Sequence, residues 1–197
     1  MSEVVIVDSG GANLASLRFA FERLGARASV TQNDIAIASA ERVVLPGVGA
    51  AGHAMKRLRS AGLTTVLQTL TQPVLGICLG MQLLLERTEE DKTQGLGVLP
   101  GVAQRITRAP DRPIPHMGWN VLKQVKEDPL LEGIADREYA YFVHSYAMPL
   151  TEHTIATSEY GMSISAVVRR RNFYGTQFHP ERSGKTGARV LENFLRL

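Results

Sequence analysis

The sequence predicts a three-layer α/β fold, with a mostly parallel central sheet, helices on both faces and an antiparallel extension. Three observations carry this. Short apolar runs alternate with helix-period segments through the first half of the chain. Proline and glycine punctuate the ends of those runs. In the second half, strand-like segments follow one another across short gaps, as antiparallel or mixed neighbours do.

Residues 4–8 form an apolar run that stops at Asp8-Ser9-Gly10-Gly11, as a buried strand would. Leu14, Leu17, Ala20, Phe21 and Leu24 then recur at helical spacing, with Gly25 placed to close the helix. Residues 27–31 and 42–45 read as the next strands, the second halted by Pro46-Gly47. A helix interrupted at Gly62 is expected over 51–70, a fourth strand over 73–77 and a helix over 81–87. Such alternation implies parallel strands buried on both sides. Strands are expected at 139–147, 154–159, 163–170 and 173–178, and a last helix at 187–197. No repeat, low-complexity tract or linker divides the chain, so 1–197 reads as a single domain.

Composition narrows the function classes. The 44% hydrophobic and 21% charged residues are ordinary for a globular protein. Twenty-two basic residues against 19 acidic ones give a balance too even to imply nucleic acid. The run Arg169-Arg170-Arg171 is bracketed by apolar residues and reads as a solvated strand end. One cysteine excludes an internal disulfide and fits a reducing compartment. With no basic-then-apolar leader and no run near the ~18 apolar residues of a membrane helix, a cytoplasmic location is expected. The single cysteine and scattered histidines show no metal-ligand spacing, so neither metal nor cofactor is expected.

Cys78 is the most informative residue. Gly76-Ile77-Cys78-Leu79-Gly80 sits where an apolar strand meets a helix, the nucleophile-elbow pattern with cysteine in place of serine. Small flanking residues permit the tight turn, the helix N-terminus favours thiolate, and the Leu79 amide is placed to donate to an oxyanion. A lone cysteine without those glycines would read as a small buried apolar residue. Of the five histidines only His179 has an active-site setting: it ends an apolar strand, and Pro180-Glu181 follow. Glu181 is placed to orient the imidazole as the third member of a triad. That requires residues 78 and 179 to meet in space; alone, the His-Pro-Glu segment reads as a surface turn. Gly47, Gly49 and Gly52 satisfy G-x-G-x-x-G, but no acidic residue lies between Ala50 and Leu85, which excludes a dinucleotide site. This loop better suits an oxyanion strand whose amide turns toward developing charge. Ser183-Gly184-Lys185-Thr186 lacks the earlier glycine of a phosphate loop.

Together, Gly-Ile-Cys-Leu-Gly-Met-Gln at 76–82 and Gln-Phe-His-Pro-Glu at 177–181 resemble the class I (triad) glutamine amidotransferases. Pro-Gly-Val-Gly at 46–49, His-Met-Gly-Trp-Asn at 116–120 and Tyr-Phe-Val-His-Ser-Tyr at 141–146 narrow the resemblance to the glutaminase subunits of imidazole glycerol phosphate synthase. The resemblance implies Cys78 as nucleophile, His179 as base and acid, Glu181 as its orienter, and the amides of Val48 and Leu79 as the oxyanion hole. It implies glutamine contacts at Gly49, Gln82, Ser145 and Tyr146, and a partner-facing surface at Trp119, Tyr141 and Arg182. The implied partner is a barrel-shaped cyclase subunit in a heterodimer. It uses the ammonia to form imidazole glycerol phosphate and an aminoimidazole carboxamide ribotide. Two features depart from the family pattern: the loop Asp8-Ser9-Gly10-Gly11-Ala12-Asn13, and Arg182 where many members carry lysine. From the residues alone, a glutaminase serving another acceptor or a stand-alone cysteine hydrolase also fits; dependence on a partner separates them.

Overall fold

The computed structural model describes residues 2–10 and 13–197; Gly11 and Ala12 of the first loop lie outside them. In chain order the elements are β1 (Glu3–Val7), α1 (Leu14–Arg23), β2 (Arg27–Thr31), α2 (Asp34–Ser39), β3 (Val43–Gly47), α3 (Ala51–Ser60), α4 (Leu63–Thr69), β4 (Val74–Cys78) and α5 (Leu79–Leu84). There follow β5 (Leu85–Thr88), β6 (Thr93–Gln94), β7 (Leu99–Arg105), β8 (His116–Val121), β9 (Lys123–Gln124), β10 (Tyr139–His144) and β11 (Tyr146–Ala147). The chain ends with β12 (Thr154–Glu159), β13 (Ser163–Arg170), β14 (Phe173–Thr176) and α6 (Gly184–Phe194).

Among the described residues the main sheet runs β2-β1-β3-β4-β14-β13-β12-β9. The first five strands are parallel and the last three continue antiparallel. Strand periodicity explains the layering. Val4 and Ile6 point to one face with Leu17 and Phe21 of α1 and Val190 and Phe194 of α6. Val5 and Val7 point to the other with Met55 and Leu58 of α3 and Leu63 and Leu67 of α4. β4 is buried at all five positions, which is why its sequence is apolar without alternation. Each fully buried Leu or Phe contributes about 1.5–3 kcal/mol, so these two clusters fix the strand register. No helix among the described residues is long and apolar enough to cross a membrane.

Several local expectations are corrected. The helix expected at 81–87 is Leu79–Leu84, and the next four residues are β5, which pairs with β6 and β7. A short leucine run satisfies either period, and the available strand partner decides. The segment 139–147 does not join the antiparallel extension. It breaks at Ser145, so that β10 pairs with β8 in a separate ribbon and β11 pairs with β7. The last helix begins at Gly184. α2, capped by the Asn33 side chain accepting from Ala36 N at 2.8 Å, was too short to show a period. The arginine run ends β13 as expected, with Arg171 exposed, and its first two members are also braced: Arg169, its side chain 39% exposed, pairs with Asp128 at 3.0 Å and lies over the Tyr174 ring, and Arg170 donates to the Val98 carbonyl at 2.6 Å.

Candidate active site

β4 is central in the parallel part of the sheet, and Cys78 is its last residue, opposite Gly47 at the end of β3. β14 lies on the other side and leads through Gln177 and Phe178 to His179. Three carboxyl ends therefore converge, the place where open α/β sheets bind ligands. Cys78 has φ 54° and ψ −112°, a conformation that costs a non-glycine residue about 1–3 kcal/mol. The packing of α5 against β3 enforces it. A Cβ on Gly80 would lie 1.7 Å from the Leu45 carbonyl oxygen, and one on Gly47 would lie 2.7 Å from the Gly80 nitrogen. Only glycine permits that approach, so the helix starts immediately after the sulfur.

His179 is held by its backbone. Its N–H donates to the Tyr141 carbonyl at 3.0 Å, and the Ser183 hydroxyl donates to its carbonyl at 2.7 Å while accepting from Tyr141 N at 2.9 Å. This uses the hydroxyl of the segment that only superficially resembles a phosphate loop. Glu181 Oε1 accepts from His179 Nδ1 at 2.9 Å and also from the Asn13 side-chain amide. The Glu181 side chain is only 2% exposed. With Nδ1 committed to the carboxylate, the other ring nitrogen is the one left for Cys78, which lines the same cavity. Burial pulls the His179 pKa down, but the hydrogen bonds and charges of Cys78 and Glu181 outweigh it and push it up to about 10. His179 therefore holds a proton at neutral pH. The Cys78 thiol lies 3.6 Å from the Val143 carbonyl oxygen, and Gln177 Nε2 lies 3.8 Å from the sulfur.

These groups open into a cavity of about 280 Å³. Val48 and Gly49 after β3, Leu79 and Gln82 of α5, and Ser145 and Tyr146 after β10 line its walls. Of the nine catalytic, oxyanion and substrate candidates from the sequence, eight line this cavity with Cys78 and His179 among them; Glu181 stands behind His179. The Gln82 side-chain nitrogen donates to the Tyr146 carbonyl at 2.8 Å and to Gln177 Oε1 at 3.0 Å. Both its hydrogens are spent, which leaves an acceptor oxygen to offer. Trp119, Tyr141 and Arg182 do not line the cavity. Trp119 is 55% exposed on the outer side of the β8–β10 ribbon, its ring edge-on to Tyr141 at 5.9 Å, and Arg182 is exposed in the turn after Glu181.

Four residues with a place in the site escaped the sequence reading. Glu90 lines the cavity and accepts from Ala51 N at 2.7 Å, capping α3 from outside; its acidic neighbourhood reads as a solvated turn. His144 lines the cavity too; it lay within the motif at 141–146 but unassigned. Gln177 lay within the His-Pro-Glu motif but unassigned. Asn13 reaches Glu181 across 168 positions, a contact no local pattern announces.

Fold and site together define an α/β enzyme built for acyl transfer through a thiol at a strand-to-helix elbow. Comparison with known proteins agrees. The family model for class-I glutamine amidotransferases matches residues 5–197. The imidazole glycerol phosphate synthase subunit HisH of Xanthomonas euvesicatoria is 50% identical, over 100% of this chain and 98% of its own. The HisH subunit of Haemophilus influenzae strain Rd is 49% identical, over 99% and 98%. Among solved structures, PurLQS from Thermotoga maritima superposes with a TM-score of 0.75 at 17% identity, covering 99% of this chain and 98% of its own. A crystal structure of a glutamine amidotransferase gives 0.76 at 20%, covering 98% and 97%. The chain belongs to the class-I glutamine amidotransferase family and, within it, to the imidazole glycerol phosphate synthase HisH subunits.

Proposed function

We propose that this chain hydrolyses glutamine at Cys78 and supplies the ammonia to the cyclase subunit of imidazole glycerol phosphate synthase, in histidine biosynthesis. The observation that carries the reading is the single cavity that joins an elbow thiol, a proton-holding imidazole and a wall of acceptors. Cys78 Sγ, as the thiolate whose proton His179 already holds, attacks the side-chain carbonyl carbon of glutamine. The oxyanion is met by the amides of Val48 and Leu79, and one such donor is worth about 3 kcal/mol in the transition state. His179 then returns its proton to the departing nitrogen, the C–N bond breaks, and ammonia leaves a glutamyl thioester. Water attacks the thioester, giving its proton to His179, and glutamate leaves as the thiol re-forms. Glu181, clasped by Asn13, keeps the imidazole oriented.

Gln82 Oε1 and the Glu90 carboxylate are acceptors suited to the α-ammonium group of glutamine, while Gly49, Ser145 and Tyr146 complete its enclosure. Gly49 has φ +85° and open space around it, so Val48, with glycine on both sides, is free to turn its own amide toward the sulfur. The aromatic face with exposed Trp119 and half-buried Tyr141, together with exposed Arg182, is the surface offered to the cyclase subunit in a heterodimer. A lone thiol enzyme of this kind suits the reducing cytoplasm. Glutamate release is measured for the chain alone, then with the cyclase subunit and its nucleotide ligand. We expect a low rate alone and a large rise in the complex. Cys78→Ser should abolish glutamine-dependent synthesis and spare ammonia-dependent synthesis. A rate indifferent to the cyclase would overturn the partner assignment, and loss of both syntheses the division of labour.

A further inference from the structure

Two histidines that take no part in the chemistry above are buried side by side next to the cavity. His116 and His144 face each other at the end of the β8–β10 ladder, where opposite residues share a face. They are 3% and 6% exposed. His116 stacks on Phe142 and Tyr160, with ring centroids 5.0 and 3.9 Å apart. Polar atoms at both ends fix the direction of the hydrogen bonds through them. At the cavity end, the Tyr146 carbonyl lies 2.9 Å from His144 Nδ1, and a carbonyl can only accept, so Nδ1 carries the proton. A neutral His144 then has a bare Nε2, which must accept from His116 Nδ1 at 3.1 Å. His116 Nε2 is left as an acceptor and faces the Asn120 amide nitrogen at 3.3 Å. Asn120 is pinned independently in that orientation: its nitrogen also donates to the Glu159 carbonyl at 2.8 Å, and its oxygen accepts from Val121 N at 2.8 Å. The two ends demand the same direction.

We propose that His116 and His144 are positioning residues for glutamine binding. They form a one-way chain of hydrogen bonds from Asn120 to the Tyr146 carbonyl that fixes the Ser145–Tyr146 wall of the cavity. This rests on the reading of that cavity as the glutamine site. The Tyr146 carbonyl takes two donors, His144 Nδ1 and Gln82 Nε2, and is thereby held into the wall and away from substrate. The ribbon that carries the chain presents Trp119 and Tyr141 on its opposite face, since side chains alternate along a strand. One ribbon therefore links the outer aromatic surface to the substrate wall. Both rings are Nδ1–H, against the Nε2–H form that imidazole side chains usually prefer in water, so the proposal makes a spectroscopic claim independent of activity.

The test has two arms. Long-range proton–nitrogen correlation NMR on the wild-type chain at pH 7 reads the tautomer of each ring. Nδ1–H on both is expected, and Nε2–H on either overturns the chain of donors. The second arm measures glutamine kinetics of the complex with the cyclase subunit for His144→Asn and His144→Gln, with ammonia-dependent synthesis as the control for intact assembly. Asparagine places an amide near the Nδ1 position and keeps the bond to Tyr146; glutamine reaches the Nε2 position and loses it. Loss of one such bond corresponds to about a five- to tenfold rise in KM. That rise is expected for His144→Gln with kcat little changed, and His144→Asn should stay near wild type. Equal KM values for the two variants, or a fall confined to kcat, would overturn the positioning role. Failure of the glutaminase reading itself would instead appear as a wild-type complex without glutamine turnover, with the NMR result unaffected.

Discussion

The proton on His179 is decided by its neighbours rather than by its burial. Desolvation opposes the charge, yet the Cys78 and Glu181 bonds raise the pKa to about 10. Cys78→Ala removes the first-named of these partners, so we expect the His179 pKa to fall well below 10 in an NMR titration; a value that stays put would mean Cys78 does not hold the proton there. His116 and His144 behave in the opposite sense. Burial holds His116 at about 4, and burial together with the charge of His116 holds His144 at about 3, the Tyr146 carbonyl only partly opposing. Both folded values lie below the unfolded value of about 6.5, so the unfolded chain binds more protons as pH falls through that range. Stability should therefore drop between pH 6.5 and 5 by about 1.4 kcal/mol per pH unit for each histidine. Denaturant titrations of wild type and His116→Gln over that interval check this. The variant should show about half the slope, and a flat wild-type profile would contradict the neutral buried pair.

At the scale of the elements, the elbow depends on α5 lying against β3 more closely than any side chain allows. In Gly80→Ala, the gain in helix propensity is about 1 kcal/mol. Against it stands a methyl group placed 1.7 Å from a backbone oxygen of the central sheet. Such overpacking typically costs about 1–3 kcal/mol and here cannot be relieved by a flexible side chain, so we expect net destabilisation of about 2 kcal/mol or more in urea unfolding, with reduced turnover. A stabilised variant would show that α5 has room to move. Glycines 76 and 80 were read from sequence as permitting a tight turn, and the close contacts supply the reason. The length of α5 was not legible, because 79–88 is apolar enough to serve as helix or strand. Pairing of β5 with β7 chose the division.

At the scale of the whole molecule, the β8–β10 ribbon stands apart from the main sheet with Met117, Trp119 and Tyr139 exposed. Trp119 lies near Gly184, two residues beyond Arg182 in the chain. For Trp119→Ala we expect cyclase affinity to fall by roughly 30-fold, the scale of an interface hot spot at about 2 kcal/mol, with an unchanged fold. Calorimetric titration with the cyclase subunit measures it, and unaltered affinity would remove the ribbon from the interface. The sequence by itself determined the alternating α/β order, the Cys78 elbow and the His179-Pro180-Glu181 turn. These are local: periodicity, glycine and proline chemistry act within a few residues. Only the tertiary structure decided that residues 78 and 179 meet, that Asn13 reaches Glu181, that Glu90 and His144 enter the cavity, and that 139–147 leaves the extension. Those outcomes depend on which strands pair and on burial between distant segments, free energies that no single stretch of the chain carries.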